Sequence, residues 1–144
     1  MDRREMLTAA AGIAVAAMSA QASAQEHEHH HHTGHPFQGV IEATAHCLMA
    51  GQACRQHCIE LLGQGDKEMA ACLATVTDML ATCQALQQLA SQKSKHVGKM
   101  AKVALDVCKQ CEDECRKHEK KHETCRACAE ACAACAKECQ KLAA

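Results

Sequence analysis

With 144 residues, thirteen of them Cys, one Phe and neither Trp nor Tyr, the chain has room for one compact domain whose core lacks large aromatic rings. Its formal net charge is −1 with the signs interspersed, so no basic face points to nucleic acid and no acidic block to a carboxylate sponge for hard cations. Leu, Val, Ala, Met and Cys are left to fill the interior.

Residues 1–24 read as a targeting peptide. Arg3 and Arg4, followed by Glu5-Met6-Leu7, resemble a twin-arginine motif; an apolar stretch from Met6 to Met18 leads to Ala22-Ser23-Ala24, a small-residue cleavage site. The alternative is an ordinary secretory signal or an uncleaved anchor. The apolar run is short and rich in Ala and Gly, so no membrane span is expected after cleavage. The twin-arginine reading predicts folding in the reducing cytosol and export to the periplasm, or another extracytoplasmic space, of a bacterium. Residues 25–35, with His29 to His32 in a row, read as a flexible tail that either captures metal weakly or has no such role.

Residues 36–144 read as helical, with three turn signals. Pro36 fits a first helical turn, and helix one is expected to run to Leu62. Gly63-Gln64-Gly65 ends it, Asp66 is the N-cap expected for helix two, and that helix continues to Ala90. Ser91 to Ser94 makes the next turn, and helix three spans Lys95 to Lys117. The charged patch His118 to His122 precedes helix four, which ends near Leu142, with Thr124 as the cap of its restart. Four helices with short connections predict an all-α, up-down-up-down four-helix bundle.

Cysteine lies on the inward stripe of every helix. Cys125, Cys128, Cys132, Cys135 and Cys139 follow alternating steps of three and four, the seam of a bundle. Helix three repeats the pattern with Cys108, Cys111 and Cys115; helix one carries Cys47, Cys54 and Cys58; helix two carries Cys72 and Cys83, with Val76, Met79 and Leu86 on the same stripe. At about 1.5 Å per residue, the thiols occupy roughly 4 to 26 Å of the interior, measured from the end that holds the first and third turns. Leu86, Ala90, Val97, Met100 and Ala104 are expected to close the other end with hydrocarbon.

A disulfide scaffold fits this pattern poorly. Thirteen is odd, and helix neighbours three or four apart have Cβ atoms about 5–6 Å apart where a disulfide needs about 3.5–4.5 Å. An inert core fits no better, because sulfur at this many seam positions forfeits apolar burial and invites oxidation. Metal binding remains. Zinc wants closed sets of four ligands, usually paired knuckles on turns, whereas these thiols chain continuously along helices and are not expected to sort into tetrads. Iron–sulfur runs lie in loops with a closing Pro, which is absent here. Cu(I) is soft, accepts two or three thiolates and, at about one ion per thiolate, neutralises a buried column. Many ions per chain imply capacity and not a catalytic centre.

Softer ligands flank the column. Met69 and Met79 fall on or near the inward stripe of helix two, and His57, His118 and His122 lie near the end holding the first turn. Met49 and His46 sit beside Cys47 but off its face. Singly, each Met reads as core filling and each His as a solvated residue; together His57, Met69, Met79 and His118 form an auxiliary set that receives copper.

The run Cys125 to Cys139 and the Cys108/Cys111/Cys115 unit resemble the copper storage protein family, over residues 38–142. The resemblance implies a four-helix bundle, Cu(I) bound by thiolates inside it, and commonly a homotetramer. By position, all thirteen cysteines carry over as copper ligands. The twin-arginine-like leader matches the exported branch of that family, whereas the His-rich tail is not part of its pattern. Catalysis is not expected: no glycine-rich phosphate loop is present, and Glu112, Asp113, Glu114 and Glu130 are expected on outward faces. The rival readings are a detoxifying thiol buffer for Cu(I), Ag(I), Zn or Cd, and a chaperone that passes metal to a recipient copper enzyme.

Overall fold

The computed structural model describes residues 34–143. They form four α-helices: α1 (Gln38–Gly63), α2 (Ala70–Ser91), α3 (Val97–His118) and α4 (Glu123–Leu142), with a single 3-10 turn at Lys67–Met69 before α2. There is no strand among the described residues. The expected leader, its cleavage site and the row His29 to His32 lie outside them.

Each helix packs against its neighbours in sequence, and α1 packs against α4 to close the ring. Cross-helix contacts fix the directions. Cys54 near the C-terminal end of α1 meets Cys72 at the start of α2, while Gln87 near the end of α2 donates to the Ile41 carbonyl at the start of α1. Cys72 pairs with Cys115 and Cys83 with Cys108, so α2 and α3 run antiparallel. Cys47 pairs with Cys132 and Cys54 with Cys125, so α1 and α4 do too. The bundle is up-down-up-down, as the short connections predict.

The turns show where local sequence rules hold. Gly65 adopts φ +95°, a conformation glycine reaches without a Cβ clash, and the Asp66 amide returns to the Leu61 carbonyl at 3.0 Å to close α1. The Asp66 carboxylate accepts from the Glu68 amide at 3.1 Å. It thus caps the 3-10 turn that feeds α2, and α2 itself starts only at Ala70. Pro36 belongs to the turn before α1, which begins two residues later at Gln38, and α3 begins at Val97 where Lys95 was expected. Thr124 is not the cap of α4: extended His122 flanks the helix start, and the Thr124 hydroxyl is buried inside the first turn without a partner.

The stretch Lys67–Ser91 has the length and hydropathy of a membrane span. Its pattern is nonetheless that of a core helix: Cys72, Val76, Met79, Cys83, Leu86 and Ala90 are buried, while Thr77, Asp78, Gln84 and Gln88 face outward. Where α2 crosses α1, Gly51 is buried; a Cβ there would lie 2.5 Å from the Met79 methyl and 2.9 Å from Leu80 Cδ2. The missing side chain lets these two helices approach closely.

The two ends of the bundle differ. At the end holding the Gln92–His96 turn, Val40, Leu86, Ala90, Val97, Ala101 and Ala104 are buried, and the one buried polar side chain, Thr44, donates to the Val40 carbonyl at 2.7 Å. Met100, expected inside, is only half-buried. The stripe running back from Cys108 through Ala104 reaches Ala101 and then Val97, which leaves Met100 beside the seam. At the other end, the Gly63–Asp66 and Glu119–His122 connections surround a histidine pair. These are called the hydrocarbon end and the histidine end below.

Candidate metal centre

All thirteen cysteines are free thiols at 0% exposure. Helical spacing places them there: steps of three, four, seven and eleven return a side chain to one face, and in all four helices that face is the inner one. Sulfur faces sulfur across the helices. Cys72 and Cys115 are 3.6 Å apart, Cys83 and Cys108 3.7 Å, Cys54 and Cys72 3.8 Å, and Cys47 and Cys132 3.9 Å. Cys54 also lies 4.0 Å from Cys115 and from Cys125; Cys111 lies 4.0 Å from Cys128, and Cys135 3.9 Å from Cys139.

Three groups hold three sulfurs within 4.8 Å of one another: Cys54/Cys58/Cys72, Cys54/Cys115/Cys128 and Cys111/Cys128/Cys132. A fourth, Cys47/Cys83/Cys108/Cys135, holds four. Shared members and the remaining close pairs link every thiol into one column, from Cys58 at the histidine end to Cys139 beside the hydrocarbon. The four-sulfur group corrects the expectation that no tetrad closes. It draws one ligand from each helix, a grouping that spacing along any single helix does not display.

So many close thiols cannot all ionise together, and they divide into proton holders and acceptors. The thiols of Cys54, Cys83 and Cys132 are pushed well above the ordinary range, most strongly by hydrogen bonding with Cys115 for the first and with Cys108 for the other two, and further by burial. Cys108 is held down to about 5, chiefly by its hydrogen bond with Cys132, and Cys115 to about 6, chiefly by that with Cys111. Without metal the column is therefore a network of thiols and thiolates that exchange hydrogen bonds. A soft cation can replace the shared protons.

The auxiliary residues separate into two classes. His57 Nε2 and His122 Nδ1 are 3.0 Å apart and tie α1 to the start of α4 at the histidine end. His118 is largely enclosed; its Nε2 has no hydrogen-bond partner and lies 3.8 Å from a Glu114 carboxylate oxygen. Glu114 is thus half-buried beside His118, not on the outward face expected for it, whereas Asp113 and Glu130 are exposed. Met69 and Met79 are fully buried, and the Met79 methyl fills the space opposite Gly51, a packing role. His46 and Met49 are exposed and away from the column. The Glu114–His118 contact and the close approach at Gly51 escaped the sequence, although the i, i+4 spacing of Glu114 and His118 is a signal for the first.

The sequence matches the copper storage protein family over residues 33–144. No curated protein matches it. Among solved structures, Cu(I)-bound copper storage protein BsCsp3 is similar at 29% identity and a TM-score of 0.68, covering 74% of this chain and 97% of that one. The apo form of Csp3 from Bacillus subtilis gives 29% and 0.65, with coverage of 74% and 98%. A cytosolic copper storage protein from Streptomyces lividans with five coppers gives 31% and 0.68, with coverage of 74% and 91%. With a helical bundle, a buried column of thiols and a family match across all the described residues, the chain belongs to the copper storage protein family.

Proposed function

We propose that this protein stores Cu(I) in its core, with Cys47, Cys54, Cys58, Cys72, Cys83, Cys108, Cys111, Cys115, Cys125, Cys128, Cys132, Cys135 and Cys139 all serving as ligands at about one ion per thiolate. The observation that carries this reading is the continuity of the sulfur column, with thirteen unexposed thiols linked mostly in twos and threes. Two- and three-sulfur sets suit soft monovalent copper, and one positive charge per thiolate leaves no uncompensated charge in the interior. A chaperone needs one or two ions where a partner can reach them, whereas these ligands are enclosed. The role is storage, not catalysis.

Copper is received at the histidine end, where His57 precedes Cys58 and where His118 and Met69 each lie three residues from a thiol, Cys115 and Cys72; Met79 lies further along α2. Loading kinetics of a His57/His118/Met69 triple alanine variant test this, and unchanged kinetics would remove these residues from the path. Residues 1–24 act as a cleaved twin-arginine signal, residues 25–35 as a tail, and residues 36–144 as the storage domain, which works outside the cytoplasm as a homotetramer and supplies a recipient copper enzyme. Sizing of the processed protein and fractionation of the producing cell test assembly and location.

The deciding experiment is anaerobic titration of the reduced, metal-free protein with Cu(I) against a competing chelator. About one Cu(I) per cysteine with helical content retained is expected. A count of one to three ions would overturn storage in favour of a chaperone.

A further inference from the structure

We infer that Cys47, Cys83, Cys108 and Cys135 form a tetrahedral site for one divalent d10 cation, Zn(II) in the first instance, which differs in kind from the Cu(I)-binding remainder of the column. The four sulfurs lie within 4.8 Å of one another, and the other mutually close groups among the described residues hold only three. A tetrahedral ion with Zn–S bonds of about 2.3 Å sets its sulfurs about 3.8 Å apart. Cys83 lies 3.7 Å from Cys108 and 4.0 Å from Cys135, so small rotations of the remaining side chains complete the polyhedron.

Position supports a closed site. Each ligand comes from a different helix, Cys47 from α1, Cys83 from α2, Cys108 from α3 and Cys135 from α4, so one ion ties the whole bundle together. All four are at 0% exposure, and the set lies next to the hydrocarbon end, where Leu86 and Ala104 occupy the next inward positions after Cys83 and Cys108. No coordination position is left open to water, which is the arrangement of a structural and not a catalytic zinc site. Binding displaces the protons still held on the set and leaves all four sulfurs as thiolates on one Zn(II), with no change in oxidation state. The same sulfurs can be shared with Cu(I) when copper is abundant, so the site distinguishes the copper-poor protein from the loaded one. The divalent and Cu(I) counts are separate titrations, and either can fail while the other stands.

Co(II) titration of the reduced, metal-free protein under anaerobic conditions tests the site, because tetrathiolate coordination gives Co(II) intense ligand-field and sulfur-to-metal bands. One equivalent with those bands is expected, bleached by one equivalent of Zn(II). Cys83→Ser and Cys83→Ala should both lose the tetrathiolate bands while the helical signal persists, and Cys125→Ser, which lies outside the set, should keep them. Absence of the bands in the unsubstituted protein would overturn the inference. So would their survival in both Cys83 variants, or equal loss in Cys125→Ser.

Discussion

The hydrocarbon end and the sulfur column occupy the same bundle and are lined by the same four helices, yet they solve different physical problems. Val40, Leu86, Ala90, Val97, Ala101 and Ala104 remove apolar surface from water and need no partner beyond one another. Further along, the same stripes carry Cys54, Cys72, Cys115 and their neighbours, whose thiols contribute less burial and hold shared protons at 3.6 to 4.0 Å. In the copper-free protein, the hydrocarbon end with Met69, Met79 and Val76 supplies the tight packing, whereas the column supplies capacity. A chain lined with sulfur throughout would depend on metal to hold its shape, and one lined with hydrocarbon throughout would have nowhere to put the cargo.

This division can be broken from either side. The largest effect expected is from Leu86→Ala, which should cost the metal-free protein about 2–5 kcal/mol by chemical denaturation and leave the Cu(I) count unaltered. A parallel loss of copper would show that the two regions are not separable. Gly51→Ala sharpens the comparison, because a Cβ there meets Met79 and Leu80 where α1 packs on α2. Overpacking of about 1–3 kcal/mol should appear as a lowered Tm, smaller than for Leu86→Ala because both obstructing atoms belong to movable side chains.

The column should respond to acid where the hydrocarbon does not. On the ligation proposed above, Cu(I) displaces protons from Cys54, Cys83 and Cys132, whose thiols are held above the ordinary range, so affinity should rise with pH through neutrality. Each displaced proton contributes about tenfold, or about 1.4 kcal/mol, per pH unit. As the pH falls through about 6 and then about 5, Cys115 and Cys108 also take up protons, and the dependence steepens. Chelator competition at several pH values measures the slope; a flat profile would mean that the metal-free column is already ionised. The smallest change in stability is expected for Cys54→Ala, about 1 kcal/mol. Cys54 belongs to two of the three-sulfur groups, so this variant should nonetheless lose at least one Cu(I) in the titration.

Much of the architecture was legible because helical periodicity and function coincide: the steps from Cys125 to Cys139 specify both a helix and its buried face. Turn chemistry was legible at Gly65 and Asp66, where one residue type meets one geometric demand. At Thr124 the same logic failed, because the chain reverses through extended His122 and the helix has already begun when Thr124 is reached. What the sequence hid was relative height between helices. The group Cys47/Cys83/Cys108/Cys135 and the pair His57/His122 depend on how far each helix slides against the next, which no spacing within one helix encodes. The exchange of Met100 for Ala101 at the hydrocarbon end is a rotation of the same kind, settled by packing against α2 and α4.

A column blocked at one end by hydrocarbon behaves as a stack. On the proposed entry at the histidine end, the ions that pass it first come to rest deepest, beside Cys139 and Leu86, and each later arrival lies above them. Withdrawal then follows the reverse order, so the copper that has been held longest is the last to leave.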